Sequence, residues 1–163
     1  GNAMNLAMIT VIGQCVGAKD EEQIHYYTKK LLWLTYIPTA VIVAITLLGI
    51  DWILKLYGIS EETAELTKKL VFIHNGCACL LWPLAFTLPN MLRACNDVRY
   101  TMVVSILSMF IFRIGFSYVI GVRMGMGAIG VWIAMIMDWI CRLTCFIIRY
   151  RGGTWKRLAG LRK

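Results

Sequence analysis

The chain has 163 residues, of which 59% are hydrophobic and 16% charged, with a mean hydropathy of +0.67 and a formal net charge of +8. A soluble domain carries roughly 45–50% apolar residues, and here apolar runs near ~20 residues recur, so the composition excludes an ordinary water-soluble fold. The basic excess gathers at the C-terminal end, in Arg142, Arg149, Arg151, Lys156, Arg157, Arg162 and Lys163. That position fits a polybasic juxtamembrane tail rather than a nucleic-acid footprint, and no nucleic-acid partner is expected.

In chain order, an apolar stretch over about residues 1–18 begins abruptly, without an initiator methionine, a basic n-region or a small-residue cleavage site. It reads as a helix cut part-way along, and the chain as a fragment. Four full spans follow, over about 31–57, 67–92, 99–121 and 126–149. The shortest of these reaches ~35 Å at 1.5 Å per residue, more than the ~30 Å hydrocarbon core of a bilayer. Each is apolar all round instead of carrying the charged face of a soluble amphipathic helix. The fold class expected is therefore an all-α polytopic transmembrane helix bundle, with residues 1–150 in the bundle and 151–163 a basic tail.

The connections carry the orientation. Lys19, Lys29, Lys30, Arg93, Arg99, Arg149, Arg151, Lys156, Arg157, Arg162 and Lys163 fall on one side. Lys55, Lys68, Lys69 and Arg123 fall on the other, beside Glu61, Glu62 and Glu65. The positive-inside rule then places the 19–30 connection and the C-terminus in the cytoplasm, in a plasma (inner) membrane. Gly58 is expected to end one helix, and Ser60 with Glu61 and Glu62 to begin the next with an N-cap and acidic side chains at its positive end. The Gly125-Met126-Gly127-Ala128-Ile129-Gly130 stretch reads as a tight turn followed by close helix packing at Gly127 and Gly130.

Six cysteines are present, five of them (Cys15, Cys77, Cys79, Cys141 and Cys145) inside apolar stretches and Cys95 in a polar loop. Cys77 and Cys79 point to different helix faces, and Cys141 and Cys145 lack neighbouring histidines or carboxylates, so buried thiols are expected and no metal site.

Three segments carry a resemblance. Gly13-Gln14-Cys15-Val16-Gly17-Ala18-Lys19-Asp20 is similar to the Gly-Gln-x-x-Gly-Ala-x-Asp pattern of multidrug and toxic compound extrusion (MATE) transporters. Leu92-Arg93-Ala94-Cys95-Asn96-Asp97-Val98-Arg99 resembles that family's Leu-Arg-Gly-x-Gly-Asp-x-Arg loop, with Asn96 in place of a glycine. Gly127-Ala128-Ile129-Gly130-Val131-Trp132-Ile133-Ala134 resembles its Gly-x-x-Gly-x-Trp-x-Ala segment. The resemblance covers essentially the whole chain and implies helices eight to twelve of a two-lobe transporter, hence a partial C-terminal lobe whose partners are the N-terminal lobe of the same protein, the lipid bilayer and a small-molecule substrate. It also implies transport in place of enzymatic chemistry, with a proton or Na+ as coupling ion and no other cofactor.

Ionisable groups inside a bilayer are costly and are functional candidates for that reason. Counted from the turn near residue 124, Arg113 lies ~17 Å and Asp138 ~21 Å deep, and adjacent antiparallel helices can bring them together. Asp138 and Arg142 are four residues apart on one helix face, the spacing of a local ion pair. The cluster reads either as a structural pin or as a protonatable coupling site. His74 and Asn75 enter the third span and are candidates for proton coupling. Gln14 is a candidate cavity or interfacial group. Gly13 and Gly17 offer a smooth packing face. Pro83 is expected to kink its helix and free a carbonyl beside a cavity. Methionines 102, 109, 124, 126, 135 and 137 with nearby aromatics offer a soft surface suited to lipid or to varied ligands. The leading functional reading is secondary active export of drugs or amphipathic cations. A lipid-linked or polysaccharide flippase and a non-transporting membrane scaffold are the alternatives.

Overall fold

The computed structural model describes residues 1–161; Arg162 and Lys163 of the basic tail lie outside the described residues. The described residues form helices and short turns, with no strand among them. The helices are α1 (Asn2–Gly17), α2 (Glu21–Tyr57), α3 (Glu61–Ala94), α4 (Val98–Arg123), α5 (Gly127–Gly152) and α6 (Thr154–Leu158). Helices α2 to α5 are each long and apolar enough to cross a membrane, and the chain is an integral membrane helix bundle.

The first connection is shorter than the 19–30 expected. Lys19 takes a left-handed φ of 56°, and Asp20 caps α2 by accepting the Gln23 N–H at 3.0 Å, so the helix starts at Glu21 and not near 31. Hydropathy alone marks only the apolar part of such a helix. Its capped, charged first turns are equally helical, since nothing between Glu21 and Lys30 breaks it. At 37 residues α2 reaches ~55 Å and extends well beyond a hydrocarbon core. Its threonines are satisfied within the helix: Thr28 and Thr35 donate to the carbonyls of Ile24 and Leu31 at 2.6 and 2.7 Å, as hydroxyls in lipid or protein must.

Gly58 ends α2 in the left-handed region, at φ 59°. Ser60 precedes α3, but its hydroxyl meets the Thr63 hydroxyl at 2.8 Å in place of a backbone N–H. Pro83 opens a widened π turn, Pro83–Thr87, in which the Leu88 N–H reaches back five residues to the Pro83 carbonyl. The proline stands first in this π turn, and its missing N–H withdraws the donor that the Cys79 carbonyl one turn earlier would otherwise meet. Two further π stretches, Met109–Phe116 and Tyr118–Arg123, occupy the second half of α4.

Helix α1 packs against α2 and against the last turns of α3, while α5 packs against α3 and α4. The main core, with Met8, Ile12, Ile24, Met91, Leu92 and Phe146 fully or nearly fully buried, lies at the end of the bundle that carries the Ala18–Asp20 and Cys95–Asp97 turns. A smaller core around Ala78, Ala85 and Trp139 lies further along. Large apolar side chains such as Trp33 and Leu48 point outward, 72% and 87% exposed, as a lipid-facing surface allows.

Over its described part, the basic tail expected from residue 151 packs back against the bundle. Helix α5 runs to Gly152, Gly153 turns the chain at φ 68°, and α6 brings Trp155 to complete burial. Trp155 stacks on Tyr150 and donates its indole N–H to the Tyr150 carbonyl at 2.9 Å, and Lys156 pairs with Glu21 at 2.5 Å. Tyr150 meets His25 Nδ1 at 2.6 Å. The basic end is thereby tied across α2, α5 and α6.

Candidate functional site: a buried charge cluster and the cavity beside it

The backbones of helices α4 and α5 meet closely at the end opposite the basic one. A Cβ added to Gly130 would come within 2.8 Å of the Gly121 nitrogen and the Ile120 carbonyl carbon. The glycine packing expected at Gly130 is therefore present, with Gly121 as a partner that sequence reading did not pick out. Gly127 serves the turn, at φ 54°.

From that crossing the two helices run side by side to Asp138, which is completely buried. Arg142 Nε donates to Asp138 Oδ1 at 3.0 Å, and Arg113 Nε lies 3.6 Å from Oδ2. The Ser108 hydroxyl closes onto Asp138 Oδ1, and Arg142 also donates to the Ser105 carbonyl at 3.1 Å. Both arginines named from the sequence thus converge on one carboxylate. Ser108 was missed: five residues before Arg113, it falls about 140° away around a regular α-helix, and the π stretch Met109–Phe116 that brings the two onto one side has no mark in the sequence. One carboxylate against two guanidiniums leaves the cluster with one excess positive charge.

His74 does not join the cluster. Its ring packs edge-on against Trp132 at 4.7 Å and lies 5.3 Å from Trp139, and the aromatic chain continues from Trp139 to Phe86 and Trp82. The Arg142 guanidinium lies 5.7 Å over the Phe86 ring, so this aromatic column borders the charge cluster. Asn75 is half-buried beside His74 and shares no contact with Asp138. Gln14 is exposed on α1, beside a shallow pocket formed with Cys15, Gln23 and Tyr27, and is likewise apart from the cluster. Gly13 and Gly17 face open space, with no atom within 4 Å of an added Cβ, so within these residues they do not form the packing face expected of them. Pro83 lies in the π turn just before Ala85 and Phe86, whose side chains border a cavity.

That cavity, of about 390 Å³, lies between α1, α3, α4 and α5. Its polar lining comes from Asn2, Asn5, Asn90, Arg93, Ser105 and Arg142, and its apolar wall from Leu6, Ala85, Phe86 and Pro89. Asn90 is 4% exposed, donates to the Phe86 carbonyl at 3.0 Å and accepts from Arg93 at 3.0 Å.

A second ion pair closes the basic end. Asp97, 3% exposed, receives both Nε and Nη2 of Arg149 at 2.7 and 3.1 Å, and the guanidinium lies 4.5 Å over Tyr100. Asn96 supplies the left-handed turn residue, φ 65°, where the resembling loop has glycine; asparagine is among the few residues that tolerate this region. Cys95, expected in a polar loop, is fully buried, and burial with the nearby Asp97 and Cys15 pushes its thiol up to about 12. All six cysteines are free thiols.

Four helices long and apolar enough to cross a membrane thus carry a buried, paired carboxylate and a polar cavity beside it, and comparison with known proteins identifies the family. The MatE family model matches residues 1–119, and the chain belongs to the MatE family. It is similar to the uncharacterized transporter YisQ of Bacillus subtilis (strain 168), with 24% identity over 158 residues, covering 95% of this chain and 34% of that protein. The chain thus spans about a third of the length of this curated relative. No solved structure matches.

Proposed function

We propose that the chain is part of a secondary active exporter that moves drugs or amphipathic organic molecules, lipophilic cations among them, against a proton or sodium gradient. The working unit is the full-length transporter, in which this bundle moves against the remaining helices around a shared site. Its basic end faces the cytoplasm of the plasma (inner) membrane, because unpaired cations such as Lys29, Arg99, Arg151 and Arg157 collect there while Glu61, Glu62 and Glu65 mark the opposite end. The observation that carries the reading is the Asp138 cluster. A carboxylate buried between two spans and shared by Arg113, Arg142 and Ser108 makes α4 and α5 one rigid unit, which rocking-bundle transport requires. In this reading Asp138 pins the moving body, and His74, set among Trp132 and Trp139, is the titratable group outside that pin.

The test is to express the full-length transporter in drug-sensitive cells and compare efflux of a toxic lipophilic cation for wild type, Asp138→Asn and His74→Ala. Efflux by wild type with loss in His74→Ala is expected. No efflux by wild type sinks the reading, and full efflux by both variants removes these residues from it. A second reading, a flippase for lipid-linked or polysaccharide substrates, is favoured by the positive excess of the cluster and by the cavity beside it.

A further inference from the structure

We propose that the cavity between α1, α3, α4 and α5 is a subsite for an oxyanion, a carboxylate or phosphate, carried on an amphipathic molecule. The inference rests on the export reading and names a chemical class of substrate for it. Three observations converge. First, Arg93 and Arg142 both line the cavity, and no carboxylate does among the described residues. Arg93 donates only to neutral acceptors, Asn90 Oδ1 at 3.0 Å and Thr101 Oγ1 at 3.4 Å. Arg142 shares its one carboxylate with Arg113. The cavity therefore holds uncompensated positive charge, the condition under which a guanidinium fork binds an oxyanion strongly.

Second, the remaining polar lining is amide and hydroxyl. Asn5 Oδ1 is buried and accepts from no protein group, although a buried amide oxygen normally has a partner. Asn2 and Asn5 both line the cavity, and a carboxamide N–H is a donor suited to an oxyanion. Third, Leu6, Phe86 and Pro89 supply an apolar wall, which suits the hydrocarbon part of an amphipath and surrounds the ionic contact with low dielectric. The cavity also lies in the basic half of the bundle: Arg93 is at the last turn of α3, and Asn5 is ~18 Å from the end of α1. A guest entering from that end meets the cations first.

The experiment uses the purified full-length transporter with two fluorescent amphipaths that differ only in a free carboxylate versus its methyl ester. Wild type is expected to bind the carboxylate about tenfold or more tightly than the ester, with an affinity that falls as salt rises. Arg93→Gln is expected to abolish that preference by weakening carboxylate binding far more than ester binding, and Arg93→Lys, which keeps the charge and guards against a folding defect, to restore part of it. Displacement of the carboxylate probe by phosphatidylglycerol in mixed micelles, but not by a short-chain carboxylate, assigns the oxyanion to a lipid headgroup. The reverse pattern assigns it to a soluble substrate. Equal binding of the two probes, a preference that survives Arg93→Gln, or competition by neither compound overturns the proposal. Arg93-dependent binding without gradient-driven movement of any probe would leave the subsite standing and refute export; movement of probes without charge or Arg93 dependence would do the opposite.

Discussion

Asp138→Asn removes the charge at the centre of the bundle while preserving its shape. In the native arrangement one fully buried carboxylate answers Arg142 at 3.0 Å and Arg113 at 3.6 Å. The amide can still accept from Arg142 and from Ser108, so steric disturbance is small and the cost is electrostatic. Arg142 has only 12% of its side chain exposed and would remain as a buried cation without a counter-charge. Breaking a buried pair in this way costs about 3–5 kcal/mol; Arg113, 45% exposed, adds little because its guanidinium can turn away. The full-length variant in detergent should melt ~5–10 °C below wild type. Adding Arg142→Gln to Asp138→Asn should recover at least half of that loss, since the stranded cation is then gone, giving a coupling of about 1–3 kcal/mol. A single variant that melts within ~1 °C of wild type, or a double variant that is the sum of its parts, would show that the cluster does not pin α4 to α5.

Other expectations follow from single contacts. Gly130→Ala places a methyl within 2.8 Å of the α4 backbone and should lower stability by about 1–3 kcal/mol, read as lower yield and an earlier melt. Asp97→Asn breaks the bidentate pair with Arg149 and should loosen the basic end, read as faster amide hydrogen exchange in the 95–100 and 146–155 segments. Tyr150→Phe removes the 2.6 Å contact with His25 and should cost about 1 kcal/mol. Cys95 should resist iodoacetamide at pH 8 in the folded protein, because it is buried and its thiol is pushed up to about 12. The thiolate is the nucleophile, and the same site should label rapidly once the protein is unfolded, as mass spectrometry of the alkylated peptides would show.

The helices were legible in the sequence because lipid demands continuous apolar length, and that demand is written residue by residue. Where the reading fell short, the structure was decided by contacts rather than by hydropathy. The start of α2 at Glu21 is set by the Asp20 cap, a polar signal that hydropathy does not register, and Glu21 pairs with Lys156, a partner far along the chain that no local pattern announces. The folding back of Trp155 has the same origin. The Asp138–Arg142 pair was legible from four-residue spacing and Arg113 from matching depth, both consequences of helix geometry. Ser108 was not, since a lone serine in an apolar helix commonly bonds its own backbone. The cavity was invisible for a similar reason: Asn5, Asn90, Arg93 and Arg142 come from three helices, and only their packing places them together. Gly13 and Gly17 show the converse, a small-residue spacing that meets nothing among these helices.

The central claim, that this bundle belongs to a gradient-driven exporter, is tested most directly by reconstituting the full-length transporter in proteoliposomes. An imposed proton or sodium gradient should move a fluorescent amphipath across the bilayer, and an ionophore that dissipates that gradient should abolish the movement. Movement that is indifferent to both gradients, or no movement by protein that is folded and correctly inserted, would contradict the account.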